Sequence, residues 1–405
     1  MLVLLVAGVL AAWVLQYIVY QRCWYRELDV TIEFADQYAL EGDTSCLRET
    51  IANGKRLPLP ALEVRLAMSR NLRFSGEAKE NSSISDQNYK RDIFSFFGRQ
   101  TVIRRLPFVC GKRGFYRITK SDVVGYDLFY RHSYYQEREQ DTQFYVYPGP
   151  VDAGRLRLVC QAVSGMVVTQ DRQYPDPFEF SGIREYNPTD PMNRINWKAS
   201  ARTGGLMVNQ HDSTTSVKVT VVLDVEDSNI LKYEELTEES IRIASSLAAR
   251  LVRSGMELDI TGNAVAAGED GSYPEGTEED SRRVAGHDRT AGRVAMHLRS
   301  GAQLQELNRR LARIVLSDRV REISGVLAEE LAAGKNGRIF ILISKNESEE
   351  AQRQLAALAA RGNQVMWVQP VHPWMEENAS DALWRGRGRT AARAHSVRHI
   401  RWEVE

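Results

Sequence analysis

No charge imbalance, no paired cysteines and no nucleotide-binding loop mark this 405-residue chain, and each absence removes a class of function. The 53 basic and 53 acidic side chains cancel, so no global basic field argues for nucleic acid as a partner. The four cysteines (Cys23, Cys46, Cys110 and Cys160) are scattered, with no Cys-x-x-Cys pair. That spacing suits neither a zinc site nor a disulfide framework and fits a reducing compartment. No Walker loop, dinucleotide fingerprint or Gly-x-Ser-x-Gly elbow occurs. His211-Asp212-Ser213 holds the residue types of a triad, but adjacency in sequence does not build one. His395 and His399 stand four apart, as on one helical face, without the glutamate of a metalloprotease helix. The expectation is a protein without catalytic residues.

Charge is also missing from residues 1–20, MLVLLVAGVLAAWVLQYIVY, where Gln16 is the strongly polar exception. Twenty residues rising about 1.5 Å each reach roughly 30 Å, the thickness of a bilayer core. No basic n-region precedes the run, unlike a signal peptide. The run therefore predicts a retained transmembrane helix over 1–21, meeting the lipid bilayer through residues 1–20. Arg22 and Arg26 follow it, with Trp13, Tyr17, Tyr20, Trp24 and Tyr25 as interfacial anchors. Positive charge on that flank predicts a single-pass protein with its bulk on the cytoplasmic side of the cell membrane.

Periodicity divides the rest of the chain. Residues 28–150 alternate in short runs, as in Val30–Phe34 and Leu62–Met68, broken by turn signals such as Gly111–Gly114. This pattern predicts an antiparallel β-sandwich. Residues 213–375 change period. Val217–Val225 is almost wholly β-branched, as in a strand covered on both faces. A helix over Glu238–Ser254 with Thr237 as N-cap comes next, then strands at Met256–Thr261, Arg338–Ser344 and Val365–Gln369. Helices at Leu304–Ile314, Val320–Ala333 and Glu347–Arg361 alternate with them, Gly362 standing where a C-cap would. The order predicts an α/β domain with a mainly parallel sheet. Residues 263–300 read as a surface insertion, and 376–405 as an arginine-rich, solvated tail.

Between the two domains, residues 151–212 hold the densest mixture of acids, bases and aromatics. Glu179-Phe180, Arg184-Glu185-Tyr186, Asp190, Arg194-Ile195-Asn196-Trp197-Lys198 and Ala201-Arg202-Thr203 are the residues concerned. Together they resemble the signature of the domain of unknown function 58 family. Val146-Tyr147-Pro148 and the Gly111–Tyr116 turn fit the same resemblance. Thr189 stands where the family often has glycine, and one apolar helix stands where many relatives have two. The resemblance implies N-terminal membrane anchoring, a β-rich domain and a von Willebrand factor A-like α/β domain. It also implies a MoxR-type AAA+ ATPase as partner, often beside a membrane transglutaminase-like protein.

Two sites stay open on sequence grounds. Arg184, Glu185, Tyr186, Asp190, Arg194, Trp197, Lys198 and Arg202 form either a structural clasp, with Trp197 packed under the first α/β strand, or a partner-docking surface. Von Willebrand A domains often hold a divalent cation at the end of the first strand, where this chain has Asp224, Glu226 and Ser228. Either Mg²⁺ binds there, or the site is degenerate. Ser344-Lys345-Asn346 occupies the position of the last acidic ligand, and a lysine there repels a cation. The function expected is a non-enzymatic, membrane-anchored adaptor for the ATPase. Its competitor is an extracellular, metal-dependent adhesion-like binder.

Overall fold

The computed structural model describes residues 2–74, 87–173, 180–187, 192, 195–211, 218–227, 232–267, 294–316, 320–374 and 397–404. They fall into two units, Met1–Gly149 and Pro150–Glu405.

The first unit begins with α1 (Leu2–Cys23), apolar on all sides and long enough to cross a membrane by length and composition. Its last turn is not free. Tyr20 is buried and its hydroxyl donates to the Pro58 carbonyl at 2.7 Å. Trp24 is also buried, lying over Gly125 and stacked on Tyr134 at 6.0 Å between ring centroids.

Nine strands come after it: β1 (Leu28–Phe34), β2 (Tyr38–Leu40), β3 (Thr44–Asn53), β4 (Leu59–Ser69), β5 (Leu72–Phe74), β6 (Gln87–Phe96), β7 (Gln100–Cys110), β8 (Gly114–Tyr126) and β9 (Ser133–Tyr147). They form a four-stranded sheet, β1-β3-β7-β5, and a five-stranded one, β2-β9-β8-β4-β6. Alternation does the work predicted of it. In β3 every second residue is buried, Leu47 and Ile51 among them. These side chains share one core with Leu62, Val64 and Phe144 of the other sheet. Phe108 and Phe144 meet edge to face at 5.5 Å. Each such buried side chain contributes roughly 1.5–3 kcal/mol. The pairing is antiparallel except where β2 runs parallel to β9.

The second unit opens with α2 (Ala153–Gln173), a helix that the charged and aromatic pattern of residues 151–212 does not announce. A two-stranded ribbon of β10 (Phe180–Glu185) and β11 (Met207–His211) encloses α3 (Trp197–Thr203) in sequence. The main sheet has β12 (Val219–Leu223), β13 (Leu258–Gly262), β14 (Met296–Leu298), β15 (Ile339–Ile343), β16 (Gln364–Val371) and β17 (Arg398–Glu403), in the order β14-β13-β12-β15-β16-β17. All neighbours are parallel except β13 and β14. Among the described residues the remaining helices are α4 (Glu234–Arg253), α5 (Gly301–Ala312), α6 (Ile323–Ala332) and α7 (Glu349–Ala360).

Strand alternation sorts these helices onto two faces. Val221 and Leu223 pack into a core with residues of α2, α4 and α5. Val222, Phe340 and Leu342 point the other way, to Leu327 of α6 and Leu355 of α7. A β12 of four aliphatic residues and Thr220, buried at every position, is what a two-sided cover requires.

Four sequence expectations change, the first being the surface insertion over 263–300, whose described ends are built into the fold: Ala264 and Val294 are buried and Met296–Leu298 forms β14 beside β13. The helix α4 starts at Glu234, with Glu234 and Glu235 in its first turn, so Thr237 is a buried helical residue and not the cap. The last residues of the expected tail form β17 beside β16, with Trp402 buried. His399 therefore sits on a strand, stacked on Trp367 at 4.5 Å, and His395 lies outside the described residues. Gly362, with φ +83°, ends α7 as expected, because only glycine adopts that conformation without strain.

Candidate functional site

From β12 the chain passes through α4 to β13 on one side, then returns across to β15 on the other. The connections diverge where β12 and β15 end side by side. Open α/β sheets place ligands in the crevice outside such strand ends. Here three strand ends deliver Asp224 after β12, Asn263 after β13, and Ser344 to Asn346 after β15.

Asp224 is buried and its carboxylate is saturated by protein donors. Oδ1 accepts from Asn263 Nδ2 at 2.6 Å and from the Glu226 backbone N–H at 3.0 Å. Oδ2 accepts from Ser344 Oγ at 2.6 Å and from Asn346 Nδ2 at 3.0 Å. The donors are themselves fixed. Asn263 Nδ2 also donates to the Arg321 carbonyl, Asn263 Oδ1 accepts from Val225 N–H, and Asn346 Nδ2 reaches the Glu226 carbonyl. Lys345 adds an ammonium 2.6 Å from Asp227 Oδ1, both side chains being largely buried. Buried carboxylates demand such partners, and four donors supply them without an ion.

This arrangement bears directly on the cation expected at Asp224, Glu226 and Ser228. Hard cations need oxygen acceptors pointing inward. What points at Asp224 are two amide NH₂ groups, a hydroxyl and a backbone N–H, with an ammonium nearby. Those residues do not fit a divalent ion. Glu226 contributes its backbone to the network, and Ser228 lies outside the described residues. Among the described residues no three His, Cys, Asp or Glu gather in a metal-binding group.

The signature residues build a separate, exposed feature. Asn196 caps α3, its Oδ1 accepting from Ala199 N–H at 3.0 Å while its Nδ2 donates to Asn209 Oδ1 on β11 at 2.7 Å. Ser200 Oγ accepts from Met207 N–H at 2.8 Å, and Gly204 closes the helix at φ +75°. The helix is thus pinned to the ribbon by backbone and amide contacts. Its own side chains bury nothing: Trp197 is 68% exposed. The packing of Trp197 under the first α/β strand is therefore not found. Arg184, Glu185, Lys198 and Arg202 are exposed and Tyr186 is half-buried. Asp190 and Arg194 lie outside the described residues, so the ionic pairing expected of them does too.

Residues 182–280 match the family described as "Protein of unknown function DUF58". The DUF58 match takes in most of the ribbon, α3, β12, Asp224, Glu226, α4, β13 and Asn263, so the exposed helix and three members of the buried network fall within one matched segment. No curated protein matches the chain. Solved structures similar to part of it include a non-cellulosomal cohesin from the hyperthermophilic archaeon Archaeoglobus fulgidus. It is 15% identical, covers 29% of this chain and 91% of its own, and has a TM-score of 0.20. Another is the seventh ScaB type I cohesin from Pseudobacteroides cellulosolvens, at 9% identity, 31% and 95% coverage and a TM-score of 0.19. Likeness at this level carries no functional argument.

The sequence points to Asp224 and the Ser344-Lys345-Asn346 run but not to Asn263. The available signal was position: Asn263 directly follows a parallel strand next to β12, where polar residues converge on the crevice.

Proposed function

We propose that the protein is a membrane-anchored, non-enzymatic adaptor that works with a MoxR-type AAA+ ATPase at the cytoplasmic membrane face. In this reading the first unit is a β-sandwich joined to a transmembrane α1. The second is a von Willebrand factor A-like docking domain whose cation site has been replaced by protein hydrogen bonds. The observation that carries it is the saturation of Asp224 by Asn263, Ser344, Asn346 and the Glu226 backbone. A crevice filled in this way has no open coordination position and no activated nucleophile, but it holds a sheet edge rigid for a partner. Exposed Trp197 and Arg202 are of the residue types enriched at binding hot spots, and Lys198 adds a second cation beside them. The adhesion-like alternative requires an open cation site at Asp224, which the surrounding donors disfavour.

The test is capture of the purified ATPase by the detergent-solubilised full chain. Capture is expected for the native protein and is expected to weaken in a folded Lys198→Ala/Arg202→Ala variant. Absence of capture at any nucleotide state overturns the adaptor reading. Full capture by the variant removes α3 from the interface.

A further inference from the structure

Strand register gathers four loops of the first unit at one end. Leu28, the first residue of β1, faces Asn53, the last of β3, and Asn53 faces Gln100, the first of β7. Leu59, the first of β4, faces Phe96, the last of β6, while Ala61 faces Tyr126, the last of β8. Residues 24–27, 54–58, 97–99 and 127–132 therefore lie together, at the end where α1 enters. Contacts show the same juxtaposition. Gln16 Nε2 donates to Asp127 Oδ2 at 3.2 Å, and Tyr17 and His132 rings lie 4.7 Å apart.

These loops carry two features that folding does not require. The first is exposed apolar surface: Phe97 is 79% exposed, Leu128 47%, Phe129 59% and Tyr130 60%. Large apolar side chains clustered at one end mark a contact with something apolar. The second is a cleft of about 350 Å³ beside Val19 and Cys23 of α1, lined by Arg26, Lys55, Arg56 and Arg99, with Glu27 as its acid. Lys55 Nζ is buried there without a hydrogen-bond partner among the described residues. Burial pulls the Lys55 ammonium down to about 8, against the opposing pull of Glu27. A buried cation without a partner is costly unless an anion is brought to it.

We propose that this end of the first unit is seated in the headgroup layer of an anionic bilayer. Phe97 and Leu128–Tyr130 enter the interface, and the cleft of Arg26, Lys55, Arg56 and Arg99 takes the phosphate of an anionic phospholipid. The proposal rests on reading α1 as a membrane helix, which places the same loops at the level of the lipid headgroups. Phosphate oxygens would supply the acceptors that Lys55 and the guanidinium groups need. Aromatic side chains at that level match the belts that flank membrane spans.

The experiment uses the full chain in nanodiscs of phosphatidylcholine and phosphatidylglycerol in equal parts. A benzoylphenylalanine crosslinker replaces, one at a time, Val9, Phe97, Phe129 and Lys112, the last in the turn at the opposite end. Mass spectrometry after irradiation counts lipid adducts. Adducts are expected at Val9, Phe97 and Phe129 and not at Lys112. At Phe97 phosphatidylglycerol is expected to exceed phosphatidylcholine about fivefold or more, the equivalent of one surface cation. Lys55→Gln/Arg99→Gln should bring that ratio towards one while leaving Val9 unchanged. Adducts at Phe97 and Phe129 no more frequent than at Lys112, with Val9 crosslinked, overturn the seating. An equal lipid ratio in the native chain overturns the headgroup cleft. No adduct at Val9 overturns the membrane reading itself, and the proposal with it.

Discussion

Ser344 Oγ donates a 2.6 Å hydrogen bond to Asp224 Oδ2, tying the end of one central strand to the end of its neighbour. Both residues are buried. The carboxylate is held by the chain itself.

Asn346→Asp tests how completely it is held. The change removes one donor to Asp224 and sets a second carboxylate against it. An uncompensated buried charge costs about 3 kcal/mol or more. The thermal transition of the second unit should fall accordingly, and millimolar Mg²⁺ should restore part of the loss in the variant while leaving the native protein unmoved. Circular dichroism melts with and without the ion measure both.

Trp197→Ala separates a docking surface from a structural clasp. At 68% exposure the indole contributes little to folding, so stability should change by less than about 0.5 kcal/mol. Capture of the proposed ATPase partner should weaken by about tenfold or more, as for loss of an aromatic anchor. A large loss of stability would restore the clasp.

Glu49 makes the first unit sensitive to pH. It is 1% exposed and neither carboxyl oxygen has a hydrogen-bond partner among the described residues. Burial first, and the charge of Asp92 second, raise its carboxyl to about 7, with Lys90 and Arg104 opposing. A raised acid costs stability once the unfolded chain ionises. The loss accumulates as pH rises from about 4.5 to about 7 and is then complete, reaching at most roughly 3 kcal/mol. Glu49→Gln should flatten this part of the stability–pH curve measured by denaturant unfolding. An unchanged slope would show that Glu49 is ionised in the fold.

Gly125→Ala probes the seat of α1. A Cβ there would press on the Trp24 indole, well inside van der Waals contact. Trp24 must then leave its place over β8, and overpacking of this kind costs about 1–3 kcal/mol. A lowered melting temperature of the first unit, with earlier proteolysis near residues 24–27, is the expected outcome.

Much of the fold was legible because its signals are local. The alternation of Val30–Phe34 in β1 and the β-branched run of β12 reported burial on one face and on two. The signals that failed were the weak ones. Helix α4 has no side-chain cap at Tyr233, so Thr237, a good capping type one turn later, attracted the assignment. The strand β17 was hidden by composition, since Arg398 and Arg401 suit an edge strand as well as a solvated tail. The candidate site was half legible. Asp224 and Ser344-Lys345-Asn346 stood out through the resemblance to von Willebrand A-like domains, whereas Asn263 becomes visible only when β13 is placed beside β12. Trp197 was misplaced because an aromatic residue in a charged segment suggests a packed clasp, and nothing local reveals that α3 buries none of its side chains.

Whether protein donors or a cation satisfy Asp224 is decided by isothermal titration of Mg²⁺ into the full-length protein. Satisfaction by Asn263, Ser344, Asn346 and the Glu226 backbone requires no saturable heat up to millimolar ion, and no accompanying rise in melting temperature. A single-site isotherm that disappears in Asp224→Asn would contradict it.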